Sequence, residues 1–261
     1  MSIFKDPLGR NIALANRTEK IVSLVPSQTE LLYDLGLDKQ VRGITKFCVH
    51  PPQWGYPKQI IGGTKNINLE RIRMIGPDLI LGNKEENERD QIETLARDFQ
   101  TWISDVKNLK DALGMIRSIG QMTSTSGLAN SMAESIEKKF SMFKISDDPL
   151  PAAYLIWRGP WMAAGGNTFI HDIMKYCGLS NVFKEISRYP EITVDQLQTS
   201  GCKLVLLPSE PFPFSERHRF ELEDQLNGVR IILVDGQMFS WYGSRLLHAA
   251  DYLHSLRVQI Q

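Results

Sequence analysis

The sequence lacks the features that would place the chain in a membrane or on nucleic acid. Its longest apolar runs, such as residues 21–26 and 203–207, are short, whereas a membrane-spanning helix needs about 20 apolar residues. The 30 basic and 30 acidic residues cancel to a net charge of zero, so no general attraction to nucleic acid or anionic lipid is expected. The first ten residues have no basic start followed by an apolar stretch, so we expect no secretory signal in the sequence as written.

Cysteine, metal-ligand spacing and catalytic motifs are also scarce. The three cysteines, Cys48, Cys177 and Cys202, are too few for a disulfide framework and fit a reducing compartment. Only His248 and His254 lie close in sequence, and their spacing puts them on different helix faces, so we expect no protein-bound metal. No nucleophile elbow, P-loop, dinucleotide fingerprint or HExxH motif is present. These absences favour a binding protein, with catalysis by dispersed residues as an alternative.

What the sequence does contain is an internal repeat. Residues 67–81 align without a gap to residues 192–206, and repeats indicate a duplicated structural unit. Each copy has a helix-capping residue, an acid two positions later, a glycine stop and then a buried-type strand. These residues are Asn68, Glu70 and Gly76 in the first copy and Thr193, Asp195 and Gly201 in the second.

The order of strand and helix patterns predicts the fold class. Apolar strands alternate with helices in both halves, which is typical of parallel sheets covered on both faces. Between the halves, apolar residues from Leu128 to Phe143 recur at helical spacing, and a helix of about 20 residues would be about 30 Å long. We predict an α/β fold with two similar lobes, residues 1–107 and 150–261, joined by one long backbone helix within residues 108–149. An ordinary surface helix is the alternative for that segment.

Candidate ligand-binding residues follow the predicted strands, because ligands of open α/β sheets bind beyond the carboxyl ends of the strands. Aromatic residues there lie among glycine and proline, where core packing is least needed, and flat apolar faces with few charges suit a large ligand. The predicted ligand-binding residues are Phe47, Trp161, Tyr189, Trp241, Tyr242, Ser27 and Lys84. Trp157 alternates with strand residues and is predicted to be core, and Ser27 with Glu30 is expected to form a capping box. Structural packing or capping is the alternative for each candidate.

The two repeated acids have a structural and a functional interpretation. A carboxylate in the first turn of a helix gains about 0.3–1 kcal/mol from the helix dipole, so Glu70 and Asp195 need no further role. Equivalent positions on two lobes would also suit a two-subunit partner with basic sockets.

The chain resembles the helical-backbone, two-lobed substrate-binding proteins of ABC importers for cobalamin, ferric siderophores and haem. The resemblance covers almost the whole chain and is carried by residues 21–30, 51–52, 68–71, 77–81, 177–183, 189–195 and 244–250. It implies a class III periplasmic-binding-protein-like fold, with two α/β lobes joined by one long helix and one solute held between them.

The resemblance also implies roles for particular residues. Glu70 and Asp195 match the two acids that dock onto permease arginines, and three of the candidates match aromatics lining the corrin pocket. Those three are Phe47, Trp161 and Tyr189.

This chain departs from the cobalamin binders at several positions. Thr64 and Asn83 stand where those proteins have tryptophan, and His254 stands where they have the disulfide partner of Cys177. No bridge is therefore expected, and a corrinoid, haem and a ferric siderophore all stay open as the solute.

We therefore expect a monomeric, non-enzymatic protein that holds one bulky metal-centred complex for an ABC permease dimer. No intrinsic cofactor and no nucleic-acid partner are expected. The resemblance implies a periplasmic or cell-surface location. A start at Met1 without a signal leaves a cytoplasmic carrier or sensor of the same solute class as the alternative.

Overall fold

The chain forms two compact units. The computed structural model describes residues 1–15, 18–55 and 58–260. Unit 1 contains the described residues of Met1–Val106, Lys110–Ile136 and Tyr242–Arg245, and unit 2 contains those of Lys107–Leu109, Glu137–Trp241 and Leu246–Gln261. Within the described ranges, no helix combines the length and the apolar character that crossing a membrane requires.

Unit 1 has an α/β fold that consists of a parallel sheet with helices and a small separate hairpin. Its strands are β1 (Ser2–Lys5), β2 (Asn11–Leu14), β3 (Ile21–Ser23), β4 (Val41–Ile44), β5 (Gln59–Ile60), β6 (Leu79–Asn83) and β7 (Thr101–Ser104). Its helices include α1 (Pro26–Asp34), α2 (Leu69–Ile75) and α3 (Arg89–Asp98), and α4 (Leu109–Met122) follows. The sheet has the order β5-β4-β3-β6-β7 with parallel pairing throughout, and β1 pairs with β2 in an antiparallel hairpin.

The predicted capping box of α1 is wrong. The helix begins at Pro26 with Val25 as its cap, and no side chain forms a cap hydrogen bond. Proline suits the first helical position because it has no N–H to satisfy. Ser27 therefore lies inside the first turn instead of at the cap position, and Glu30 pairs with Arg245.

Unit 2 contains a second parallel sheet. Its strands are β8 (Leu150–Trp157), β9 (Met162–Ala163), β10 (Leu179–Asn181), β11 (Leu204–Pro208) and β12 (Arg230–Val234). Its helices are α6 (Phe169–Met174), α7 (Val194–Thr199), α8 (Glu216–Glu223), α9 (Gln237–Ser240) and α10 (Leu246–Ile260). The order is β10-β8-β11-β12 with parallel pairing, and β9 pairs back onto β8 in the antiparallel direction.

The predicted repeat is confirmed in its local structure. The Asn68 side chain accepts a hydrogen bond from the Arg71 N–H at the start of α2, and Thr193 forms a capping box with Gln196 at the start of α7. Both stop glycines have positive φ, 59° at Gly76 and 76° at Gly201, a conformation that glycine adopts without steric cost. The strands after these helices, β6 and β11, occupy equivalent places in the orders β4-β3-β6-β7 and β10-β8-β11-β12.

Two helices form most of the predicted connecting segment. Helix α4 is followed by α5 (Ser126–Ser141), which has 16 residues and is shorter than the predicted helix because it ends before Phe143. Residues of α5 up to Ile136 belong to unit 1 and those from Glu137 belong to unit 2. One boundary between the two units therefore falls within α5.

Candidate functional site

The loops at the carboxyl ends of the unit 2 strands carry a group of contacting rings. We call Trp157, Trp161, Phe212, Phe214 and His218 the unit 2 aromatic cluster. Phe212 links its members, with its ring centroid 5.4 Å from Trp157, 4.7 Å from Phe214 and 5.2 Å from His218. Edge-to-face and offset arrangements of this kind stabilise ring pairs. Phe214 belongs to the core of unit 2, and Trp161 and Phe212 pack against that core, so the cluster extends from the core to the exposed Trp157.

The prediction that Trp157 is a core residue is wrong. Its side chain is 42% exposed, although Tyr154 and Leu155 of the same strand are fully buried. Trp157 is the last residue of β8, and the chain turns there into β9. The ring therefore lies at the end of the sheet, where Phe212 covers only part of it.

Trp161 is held by two partners within unit 2. Its ring is parallel to Phe214, with centroids 6.1 Å apart and an interplanar angle of 5°. The guanidinium carbon of Arg158 lies 5.3 Å from the Trp161 centroid, and Arg158 Nε donates to the Glu221 carboxylate at 3.0 Å. Cation–π and ion-pair contacts thus fix the orientation of a half-buried ring.

His218 has a structural role in the aromatic cluster. The Ser215 backbone N–H donates to His218 Nδ1 at 3.1 Å, which completes a capping box at the start of α8. Because Nδ1 accepts this bond, the neutral ring carries its proton on Nε2.

A pair of glycines positions the segment that carries Tyr189. The Gly165 N–H donates to the Arg188 carbonyl and the Gly166 N–H donates to the Ile186 carbonyl, each at 2.7 Å. A Cβ on Gly166 would lie 2.0 Å from the Lys184 carbonyl oxygen. Only glycine allows this close approach of two backbone segments, and the half-buried Tyr189 is placed by it.

Trp241 is buried, and its polar group is satisfied inside unit 2. The side chain is 6% exposed, and its Nε1 donates to Glu210 Oε1 at 2.5 Å. Burial raises the pKa of the Glu210 carboxyl, while the hydrogen bond from Trp241 opposes the rise. Trp241 therefore supports the loops after β11 and β12 and offers little open surface of its own.

Tyr242 has the same kind of anchor in unit 1. Its side chain is also 6% exposed, and its hydroxyl donates to Glu86 Oε1 at 2.5 Å. Three residues on, Arg245 pairs with Glu30 through two hydrogen bonds, one of them from Nε at 3.0 Å. Glu86 and Glu210 were not among the predicted site residues, because an acid in a loop carries no local signal of the aromatic residue that it will bind.

The remaining candidates of unit 1 lie in different surroundings. Phe47 is 50% exposed, with Lys46 Nζ 5.0 Å from its ring centroid. Lys84 is exposed and pairs with Asp105 at 2.9 Å. Ser27 is buried, and its hydroxyl has no hydrogen-bond partner among the described residues. Phe47 is thus the candidate of unit 1 that presents an open aromatic face.

A buried amide network lies beneath the carboxyl ends of β6 and β7. Gln28 Nε2 donates to Ser104 Oγ at 2.7 Å, and Asn83 Nδ2 donates to the same oxygen at 3.0 Å. Asn87 Oδ1 accepts from the Asn83 N–H at 2.8 Å. The Asn83 and Asn87 side chains are satisfied, whereas Gln28 Oε1 is buried without a hydrogen-bond partner among the described residues. This edge of unit 1 is therefore polar, and its order depends on the bonds of the two asparagines.

The two repeated acids are exposed on matching helices. Glu70 is the second residue of α2 and Asp195 is the second residue of α7. Glu70 pairs with Arg73 at 2.6 Å across one helical turn, a surface contact of small energy. Both acids are therefore accessible to a partner from outside the unit that carries them.

The cysteines are unbridged, and the described residues contain no cluster of metal ligands. Cys48, Cys177 and Cys202 are buried free thiols, and burial raises the pKa of Cys177 to about 12. Across residues 1–15, 18–55 and 58–260, no group of three or more histidine, cysteine, aspartate or glutamate residues could hold a metal ion.

Comparisons with known proteins match this architecture. The family model described as periplasmic binding protein matches residues 21–207. A vitamin B12-binding protein of Pectobacterium carotovorum subsp. carotovorum (strain PC1) is 25% identical over 244 residues, which cover 91% of this chain and 87% of the relative. One from Vibrio vulnificus (strain YJ016) is 26% identical over 184 residues, covering 69% of this chain and 67% of the relative.

Solved structures share the fold at low sequence identity. The periplasmic vitamin B12 binding protein BtuF of Vibrio cholerae superposes with a TM-score of 0.79 at 18% identity, covering 94% of this chain and 99% of that one. The periplasmic haem-binding protein RhuT from Roseiflexus sp. RS-1, in apo form, gives 0.78 at 19% identity, covering 94% and 100%. The predicted α/β fold class is confirmed. The relatives are named as binding proteins, which confirms the prediction of a non-enzymatic role.

Proposed function

The chain belongs to the periplasmic binding protein family, and from that premise we propose that it binds a bulky metal-centred organic complex for an ABC importer. Three kinds of solute fit this description: a corrinoid such as cobalamin, a haem, and a ferric siderophore. The protein binds the solute outside the cytoplasm and delivers it chemically unchanged to a permease dimer.

The observation that carries this proposal is the unit 2 aromatic cluster. Within it Trp157 is exposed and Trp161 and Phe212 are half-buried, at or just beyond the carboxyl ends of parallel strands. Tyr189 is not part of the cluster but is also half-buried, in a loop of the same unit. Ligand sites of α/β sheets lie at those ends, and rigid rings give large contact areas with little loss of conformational entropy. A large ligand with flat or apolar rims matches such a surface better than a small polar one.

Asn83 bears on which complex is bound. Its side chain is 2% exposed, and its amide nitrogen and oxygen are both used within the amide network. The position therefore supplies no aromatic surface to a ligand. This supports keeping haem and ferric siderophores beside corrinoids as solutes.

The direct test is calorimetry and visible absorption with cyanocobalamin, haemin and a ferric hydroxamate. We expect one of the three to bind with a stoichiometry of one and to be recovered chemically unchanged. Failure of all three to bind at micromolar protein concentration would contradict the proposal, and recovery of an altered compound would indicate an enzyme.

A matched pair of variants tests the location of the site. Trp157→Ala combined with Trp161→Ala should weaken binding by about 2 kcal/mol or more, the size typical of aromatic hot spots. Phe220→Ala is the control, because Phe220 is also an exposed ring of unit 2 but lies on α8, outside the cluster. Equal losses in the two variants would remove the cluster from the site.

The acids of the repeat are the proposed contacts to the permease. Glu70→Ala with Asp195→Ala should leave solute affinity unchanged and abolish stimulation of the importer's ATPase. Asp90→Ala with Glu216→Ala is the matched control, because these acids also lie in the first turns of helices. A loss of solute affinity in the first pair would instead place those acids at the solute.

A further inference from the structure

A pocket lies on the flank of unit 2, away from the aromatic cluster. Its volume is about 200 Å³, and it is formed by the segment after α5, by α6 and by the edge strand β10. One buried water takes up about 30 Å³, so the pocket has room for a molecule of several heavy atoms. Ligand pockets for drug-sized molecules start at about 300 Å³, which excludes the bulky solute of the proposed function.

Polar side chains that have no partner among the described residues line this pocket. The hydroxyls of Ser146 and Ser180 line it, and neither has a hydrogen bond to another described residue. Lys184 also lines it, and this lysine forms no ion pair within the described part of the chain. The exposed Lys184 thus brings an ammonium group to the pocket, beside the hydroxyls of two half-buried serines.

The acid in the pocket wall is already occupied. Asp172 Oδ2 accepts from the Leu109 N–H at 2.9 Å, and Asp172 Oδ1 accepts from Lys175 Nζ. Asp172 is therefore paired with Lys175, and it forms no ion pair with Lys184 within the described part of the chain. The ionised side chains of the wall, Asp172, Lys175 and Lys184, leave one net positive charge.

His171 adds a further donor. The Asn181 side-chain nitrogen donates to the Ala164 carbonyl at 2.9 Å and lies 3.5 Å from His171 Nδ1. With Nδ1 on the acceptor side of this contact, Nε2 carries the proton. Burial lowers the pKa of His171, with Lys175 and Lys184 adding to the effect and Asp172 opposing it, so the ring is neutral at pH 7.

The rest of the wall is apolar. Ile145, Pro149 and Leu179 line the pocket together with the polar groups. Some walls of the pocket carry hydrogen-bond donors and positive charge, and others are hydrocarbon. This combination suits a small ligand that has an anionic group and a short apolar part.

We propose that this pocket is a second ligand site of the protein and that it binds a small organic carboxylate. The carboxylate oxygens accept from Lys184 and from the free donors beside it, and the short apolar part contacts Ile145, Pro149 and Leu179. This site is independent of the solute site of the proposed function, because none of its residues belongs to the unit 2 aromatic cluster.

The test uses butyrate as the probe and butyramide as its neutral counterpart. The imidazole resonances of His171, assigned with His171→Gln, are followed by NMR during titration of each compound at constant ionic strength. We expect saturable shifts with butyrate, a rise in the pKa of His171 in the bound state because a nearby anion favours the imidazolium, and no saturable shift with butyramide.

Two lysine variants complete the experiment. Lys184→Gln keeps the side-chain stem and should weaken butyrate binding about tenfold or more, as expected for loss of a charge-assisted hydrogen bond. Lys203→Gln, an exposed lysine of the same unit outside the pocket, should leave it unchanged. Absence of saturation with butyrate, equal binding of butyramide, or an unchanged affinity in Lys184→Gln would each overturn the proposal. None of these results depends on whether a metal complex binds elsewhere.

Discussion

In unit 1 the loops after β6 and β7 rest on buried amides, whereas in unit 2 the loops after β8 and β11 rest on contacting aromatic rings. Asn83 and Gln28 hold the first edge through Ser104. Trp157 and Phe212 hold the second through ring contacts. The two units nevertheless share the order of four strands, β4-β3-β6-β7 in unit 1 and β10-β8-β11-β12 in unit 2.

The contrast teaches that the duplication preserved the framework and left the loops free to differ. Matching helices, caps and glycine stops recur because each is needed to build the same helix-to-strand connection. The loops at the carboxyl ends carry no such requirement. Binding chemistry therefore diverges there first. Substitutions in each unit can show how much its loops depend on the amides of unit 1 or on the glycine pair and rings of unit 2.

The largest effect is expected at the glycine pair of unit 2. Gly166→Ala would place a Cβ 2.0 Å from the Lys184 carbonyl oxygen, so the segment that carries Tyr189 must move. We expect a loss of about 3 kcal/mol in the free energy of unfolding, measured by urea denaturation. Gly114→Ala in α4, which meets nothing within 4 Å, should be neutral or stabilising by up to about 1 kcal/mol. Equal losses in the two variants would show that the backbone contact is unimportant.

The amide network of unit 1 should respond next. Asn83→Ala removes donors and an acceptor from a buried set, and leaving buried polar groups unsatisfied costs about 1–3 kcal/mol. We expect a loss of about 2 kcal/mol in urea denaturation. Asn66, an exposed asparagine of the same unit, provides the control through Asn66→Ala. A loss below about 0.5 kcal/mol for Asn83→Ala would mean that water replaces the amide at no cost.

The anchor of Tyr242 should contribute less. Tyr242→Phe keeps the ring and removes the 2.5 Å hydrogen bond to Glu86, and bonds to charged groups contribute about 1.5–3 kcal/mol. We expect a loss of about 1.5 kcal/mol by chemical denaturation at pH 7. The double variant, Tyr242→Phe with Glu86→Gln, should lose no more stability than Tyr242→Phe alone. Such non-additivity would confirm that the two side chains are paired. Additive losses would show that the two side chains act independently.

The smallest effect is a pH dependence at Glu210. Its folded-state pKa is raised by burial, so between the ordinary pKa of about 4.3 and the raised value the folded state binds more protons than the unfolded one. This carboxyl therefore lowers stability as the pH rises through that window, and its cost is larger at pH 7 than at pH 4.

In the variant Glu210→Gln, the glutamine side chain cannot ionise, but its oxygen can still accept the hydrogen bond from Trp241 Nε1. The variant should gain stability relative to the natural protein at pH 7 and lose that advantage at pH 4. Urea unfolding at the two pH values measures the difference. An advantage that is the same at both would show that the folded-state pKa is not raised.

Most of the framework could be predicted from the sequence, because its signals are local. Asn68, Thr193, Gly76 and Gly201 each specify a helix end by their own chemistry, and the structure confirms all four. The error at Ser27 arose because Pro26 takes the first helical position and moves the cap to Val25.

The loops could be predicted less well, because their side chains find partners far away in sequence. Trp157 fits the alternation of a strand, and only the end of β8 leaves it exposed. The acid that holds Tyr242 lies 156 residues earlier, and the acid that holds Trp241 lies 31 residues earlier. No periodicity links such pairs, so neither Glu86 nor Glu210 could be chosen in advance.

The outer strands of the two sheets have a consequence for behaviour in concentrated solution. Strand β5 has two residues and β10 has three, and each lies at one end of its sheet. An unpaired strand edge is a template on which another chain can add, and shortness is a common natural defence against that association. Changes that lengthen β10 would therefore be expected to promote aggregation.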